Sequence, residues 1–158
     1  MKRIFSITCA AFFCAALATP AIAKTTNPGP IGRISTWTGT WTCGSGKNRN
    51  TETFVPIFNG KGMRVSVTGP QASEGVATFD FGHNAWFYTF VNADGTYATM
   101  SGPVSGSTIA FTQVFPAGTG KDTTRFTIRL MSTSKYSSVF SAIVNHKLTT
   151  STEVCTKN

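Results

Sequence analysis

The chain has 158 residues, 41% of them hydrophobic and 13% charged, with 14 Lys and Arg against six Asp and Glu and a formal net charge of +8. That length is one domain's worth, and six acids with two histidines leave little material for acid–base or metal chemistry. The basic side chains, among them Lys47, Arg49, Lys61, Arg64, Lys121, Arg125, Arg129 and Lys135, are spread over separate segments. A nucleic-acid-binding face would cluster them with exposed aromatics, so they read as a solvated surface.

The N-terminus opens with Lys2 and Arg3, continues through an apolar run from Ile4 to Ala18, and ends in Thr19-Pro20-Ala21-Ile22-Ala23. A positive start, an apolar centre and small residues at A-x-A positions make a cleaved secretory signal over residues 1–23. The apolar run is shorter than the roughly 20 residues that span a bilayer as a helix. Cys14 lies inside that run and not at the cleavage point, so lipid attachment is not expected. The mature chain is then secreted or periplasmic, with no membrane span. Of its 135 residues, 24–34 are a polar leader with Pro28 and Pro30, and 35–158 form a single domain.

Cleavage removes Cys9 and Cys14 and leaves Cys43 and Cys155, which can pair in one way in an oxidising compartment. Between them, short segments rich in Thr, Val, Phe, Tyr and Trp recur every eight to twelve residues. The pattern predicts strands near 36–43, 51–58, 63–68, 75–81, 85–91, 96–101, 107–115, 122–131, 135–143 and 147–155. Asn59-Gly60-Lys61-Gly62, Gly82-His83-Asn84, Asn92-Ala93-Asp94-Gly95 and Val144-Asn145-His146 carry the residues that tight hairpin turns require. No connection is long enough for a crossover helix, so the strands form an antiparallel meander. Closing it removes exposed edges, and the fold class is all-β, an up-and-down barrel of about eight to ten strands.

Alternation assigns the faces. Met63, Val65 and Val67 oppose Arg64, Ser66 and Thr68, and Phe126, Ile128 and Leu130 oppose Arg125, Thr127 and Arg129. Ala77, Phe79 and Phe81 share a face, as do Trp86, Tyr88 and Phe90, and Ile109, Phe111 and Phe115 join this aromatic interior. Trp41, Phe79, Trp86, Tyr88, Phe90, Phe111 and Phe126 are the candidate ligand-lining residues.

The segment Trp37-Thr38-Gly39-Thr40-Trp41-Thr42-Cys43 holds Gly39-Thr40-Trp41, which resembles the Gly-x-Trp of the lipocalins. The resemblance implies a calycin-type barrel in which Trp41 closes one end; the family's second motif, Thr-Asp-Tyr, has no counterpart. Trp41-Thr42-Cys43-Gly44-Ser45-Gly46 is also similar to the glycine-rich first strand of nitrobindin-type barrels, with Cys43 and Ser45 at glycine positions. That likeness would imply haem on His146, which the sequence places in the last hairpin turn, pointing away from the interior. His83, between Gly82 and Asn84, reads as a solvated turn residue.

Glu52, Glu74, Asp80, Asp94, Asp122 and Glu153 are scattered without motif spacing, and Glu153 reads as an outward residue of the last strand. There is no Gly-x-Ser-x-Gly, no zinc spacing and no phosphate loop, so no catalytic residue, metal ligand or cofactor is expected. Ser137, Ser138, Ser141, Thr149, Thr150 and Thr152 suit either a solvated sheet face or a polar cavity mouth. The expected function is a non-catalytic binding protein that holds a small apolar or aromatic ligand in its barrel. The alternative is a filled barrel whose loops, such as 44–50 and 116–121, dock or inhibit a secreted protein.

Overall fold

Runs of β-branched and aromatic residues cut by Gly, Asn and Asp build strands, because such side chains fit a pleated half-buried surface and the interruptions permit turns. A computed structural model describes residues 27–116, 124–144 and 147–158, and in it this pattern gives ten strands. They are β1 (Gly39–Cys43), β2 (Asn50–Ile57), β3 (Gly62–Thr68), β4 (Ser73–Asp80), β5 (Ala85–Asn92), β6 (Tyr97–Ser105), β7 (Thr108–Phe115), β8 (Arg125–Ser132), β9 (Lys135–Val144) and β10 (Lys147–Lys157). Each strand is antiparallel to the next, and β1 pairs with β10 to close the barrel. At the hairpins Asn59 and Asn84 take positive φ, as their tight turns require. Among the described residues no helix is long and apolar enough to cross a membrane.

Three places differ from the sequence expectation, and the first is Phe115: expected inside with Ile109 and Phe111, it is 54% exposed, because the β6–β7 register shifts between Thr99 and Met100 and breaks the alternation before it. Residues expected to begin the first strand near 36 instead form a one-turn helix, α1 (Ile34–Trp37), preceded by a 3₁₀ turn over Pro30–Gly32. The reason lies in local hydrogen bonds: the Thr36 hydroxyl donates to the Pro30 carbonyl at 2.6 Å, and the Thr38 hydroxyl to the Ile34 carbonyl at 3.1 Å. Packing therefore begins ahead of residue 35, with Ile31 and Gly32 buried. Phe81, expected inside, lies in the β4–β5 turn and is 59% exposed, because β4 ends at Asp80 before the alternation reaches it. The signal segment and His146 lie outside the described residues.

The N-terminal segment seals one end. The Ile31 carbonyl accepts the indole N–H of Trp37 at 2.9 Å and that of Trp86 at 3.0 Å, while Trp41 donates its indole N–H to the Trp37 carbonyl at 2.7 Å. Three buried indole donors are thus satisfied by backbone carbonyls. Tyr136 completes the layer, its ring centroid 5.0 Å from Trp41 and 5.5 Å from Trp37. On the outside Lys157 places its ammonium 5.3 Å from the Trp41 ring centroid and donates to the Thr36 carbonyl at 3.2 Å. Gly39 makes that crossing possible: its φ is +120°, and a Cβ there would meet Lys157 Cε at 3.1 Å.

The β1–β10 ladder has only the pairs Trp41↔Lys157, Thr42↔Thr156 and Cys43↔Cys155, and a disulfide joins the last of these. The bridge closes a loop of 112 residues' separation. Loop entropy for that span is worth up to about 4–5 kcal/mol. Replacing both cysteines with serine is expected to cost about 3–4 kcal/mol and to lower the melting temperature by roughly 10 °C. Calorimetry of the oxidised protein and the double variant checks this; an unchanged melting temperature would contradict it.

Candidate functional site

Ten strands enclose more width than side chains alone fill, and the barrel holds a cavity of about 700 Å³ above the sealed end. Trp37 is its floor. Met63, Val65, Trp86, Tyr88, Phe90, Met100, Phe111 and Phe126 line its walls, and Gln71, Ala72, Asp94, Thr96 and Tyr97 lie around its mouth. The 69–72 and 93–96 turns of this rim are joined by the Ala93 N–H to Ala72 carbonyl bond of 2.9 Å. Gly102 keeps one wall thin: a Cβ there would fall 2.6 Å from both Ile109 Cγ2 and Phe111 Cδ1.

Five of the seven side chains expected from the alternation, Trp86, Tyr88, Phe90, Phe111 and Phe126, stand on this wall. Trp41 and Phe79 do not. Trp41 is fully buried beneath Trp37 and Tyr136, and Phe79 is covered at the sealed end by Trp86, 5.3 Å away between centroids, and by Gly32. Both rings point inward as expected, but at the level occupied by the N-terminal plug.

The polar residues of the cavity are those the alternation pattern did not single out. Glu52 on β2 lies opposite Trp41 in register and shares the inward face of Phe54. Its Oε2 accepts the phenolic hydrogen of Tyr136 from β9, and that phenol oxygen lies 3.5 Å from Cys43 Sγ. Glu153 on β10, expected to face outward, also lines the cavity, because Cys155 must point inward to reach Cys43 and Glu153 is two residues away. Ser138, directly opposite Glu153 in register, is buried on the same wall. The other hydroxyls divide: Ser141 and Thr150 bond to each other at 3.3 Å on the exposed outer face. The residues at 50, 52 and 54, and at 151, 153 and 155, held the missing signal. One member of each set is an apolar or bridged interior residue, so the glutamate between or beside it is interior as well.

Burial drives the electrostatics. Removal from water raises the Glu52 carboxyl from 4.5 to about 7, a shift opposed by the Tyr136 hydrogen bond and reinforced by the charge of Glu153. Burial, followed by the charge of Glu52, raises the phenols of Tyr136 and Tyr88 as well. Burial also raises Glu153. Asp80, in contrast, belongs to an exposed turn: its carboxylate is lowered chiefly by His83, whose Nδ1 is 2.7 Å away, and it accepts the Gly82 N–H at 2.8 Å.

Cys43, Glu52 and Cys155 bring three potential donor atoms within 4.8 Å of one another. The two sulfurs are bonded to each other, so they supply no thiolate, and this group does not make a metal site. What the arrangement offers chemically is an apolar chamber with carboxyl and phenol groups set low in its wall. No protein-family model matches the chain, and no curated protein matches it.

A carboxyl whose native value exceeds its unfolded value of 4.5 holds its proton more tightly in the folded state. Its contribution to stability is complete below about pH 4.5 and is lost as pH rises through about 7. Water entering from the mouth softens the penalty, and the expected loss between pH 5 and pH 8 is about 1–2 kcal/mol. Asp80 and Asp94, both lowered, act below this window. Chemical denaturation at the two pH values checks the effect; Glu52→Gln should remove most of the difference, and an equal slope in the variant would contradict the assignment.

Proposed function

We propose that the protein is a non-catalytic carrier or receptor that admits a small, largely apolar ligand through the open end of the barrel, acting after export to the periplasm or the extracellular space. One observation carries this reading: the interior is hollow. A chamber of about 700 Å³ lies in the range of ligand sites that bury most of a drug-sized molecule, and its walls are mainly aromatic and aliphatic. A barrel serving only as a platform for loops gains stability by filling its core, since unfilled apolar volume costs packing energy. Here Gly75, Ala77, Ala98 and Gly102 keep inward positions small, while tryptophan and tyrosine line the space they leave.

The closed antiparallel meander, the Gly39-Thr40-Trp41 segment entering its first strand, and the Cys43–Cys155 bridge tying down the last strand support a lipocalin-like relation within the calycin type of barrel. That relation implies that Trp41 closes one end, which leaves the other for ligand entry. The disulfide supports an oxidising location. Basic side chains at Arg64, Arg125, Arg129 and Lys135 are exposed and lie outside the chamber, so they bear on solubility and encounter more than on ligand contact.

The neutral fluorophore N-phenylnaphthylamine tests the reading. Its emission should rise and shift to the blue on addition of the protein, saturating at one molecule per chain. Ala98→Phe, which fills part of the chamber, should weaken binding about tenfold or more while leaving the far-ultraviolet circular dichroism unchanged. No change in emission with the wild-type protein would contradict a ligand-binding barrel.

A further inference from the structure

The chamber is acidic inside a basic protein. The formal charge of the chain is +8, yet the carboxyl side chains along the cavity wall are Glu52, Asp94 and Glu153, with no Lys, Arg or His among the described lining residues. Asp94 lies at the rim and is occupied by its own turn, accepting the Thr96 N–H at 2.9 Å and the Thr96 hydroxyl at 2.6 Å. Glu52 and Glu153 are different. They project into the chamber from β2 and β10, strands that flank β1, and among the described residues Tyr136 is the hydrogen-bond partner of Glu52 while Glu153 has none. Two neighbouring carboxyls in an apolar space repel each other and lose hydration, a cost with no compensating cation in the wall.

Resting on the binding reading above, we propose that the ligand is an amine, protonated in water, with an aromatic or alkyl body: its ammonium group is held by Glu52 and Glu153 and its body by the aromatic wall. The geometry divides the chamber accordingly. Glu52 sits at the level of Trp41, just above the sealed end, and Glu153 stands two residues mouthward of Cys155, so an ammonium between them lies deep and its substituent points toward the mouth. Tyr88 and Phe90, stacked with centroids 5.0 Å apart, and the stacked pair Phe111 and Phe126 offer ring faces to the body and, nearer the carboxyls, to the cation. A carboxylate or phosphate ligand meets the opposite situation, since its charge would enter beside two acids and no donor cation. Fatty acids and phospholipid headgroups are therefore disfavoured by the same residues that favour an amine.

Charge balance makes the binding pH-dependent. The groups facing Glu52 are Glu153 on β10, Tyr136 on β9, Tyr88 on β5 and the Cys43–Cys155 disulfide. Burial places the Glu52 carboxyl at about 7, so below that pH the amine must displace a proton before the ion pair forms. Affinity for an amine therefore falls as the solution is made more acidic. Affinity for an uncharged analogue does not follow this course.

Isothermal titration of the disulfide-bonded protein with naphthylethylamine, naphthylethanol and naphthylacetate at pH 8 separates the possibilities. The amine should bind about tenfold or more tightly than the alcohol, and the acetate more weakly than either. Lowering the pH from 8 to 5.5 should weaken the amine about tenfold and leave the alcohol unchanged. Glu52→Gln and Glu153→Gln should each reduce the preference for amine over alcohol, and the wild-type pH series stands as the test if either variant does not fold. Equal binding of amine and alcohol, or an amine preference that survives both substitutions, overturns the amine assignment while leaving the ligand-binding barrel intact. No binding of any of the three overturns both.

Discussion

The barrel closes through the shortest of its ladders. Three register pairs join β1 to β10, against ten between β10 and β9, and the disulfide sits at the last of the three. A seam this short contributes few hydrogen bonds, so the covalent link holds the first strand to the last. It also fixes side-chain direction. With Cys43 and Cys155 obliged to face inward, the two-residue period of the strands sends Trp41, Ser151 and Glu153 to the interior as well. Closure, the position of the carboxyl pair and the existence of an inside thus follow from one constraint.

The two ends of the barrel are then made unlike. At one, the carbonyl of Ile31 receives two indole donors, and the plug built on Trp37 excludes water from the aromatic layer beneath it. At the other, turns leave the chamber open. Hydrophobic packing is concentrated where the plug lies, and the remaining volume is held open by small residues facing large aromatic ones. The wall also keeps a glutamate in an environment that raises its carboxyl to about 7, a feature that costs stability at neutral pH and that packing alone would not retain. Local cost of this kind, next to an accessible space, supports the proposed binding role of the chamber.

Most of the fold was legible in the residues. The positions of the strands and their antiparallel order follow from alternation and turn chemistry, which left the count between eight and ten, and the Cys43–Cys155 pairing was expected once Cys9 and Cys14 were assigned to a signal segment. The start of the first strand was not, because Thr36 and Thr38 have strand propensity yet use their hydroxyls to cap a helical turn. The aromatic wall was legible from Trp86, Tyr88 and Phe90, whereas the depth of each ring was not: alternation tells inside from outside but carries no height along the barrel axis, so Trp41 and Phe79 were grouped with the lining although the plug covers them. Glu52 and Glu153 escaped for a different reason. A charged residue in a strand reads as outward unless its neighbours fix the phase, and Glu153 is flanked by threonine and valine, neither of which decides it; only the bridged Cys155 does.

The measurement that tests this account most directly is a carbon nuclear magnetic resonance titration of the Glu52 side-chain carboxyl, assigned by loss of its signal in Glu52→Gln, with and without naphthylethylamine. A midpoint near 7 is expected in the free protein, with a clear fall when the amine is present. A midpoint within the ordinary range of exposed glutamates, unmoved by the amine, would contradict it.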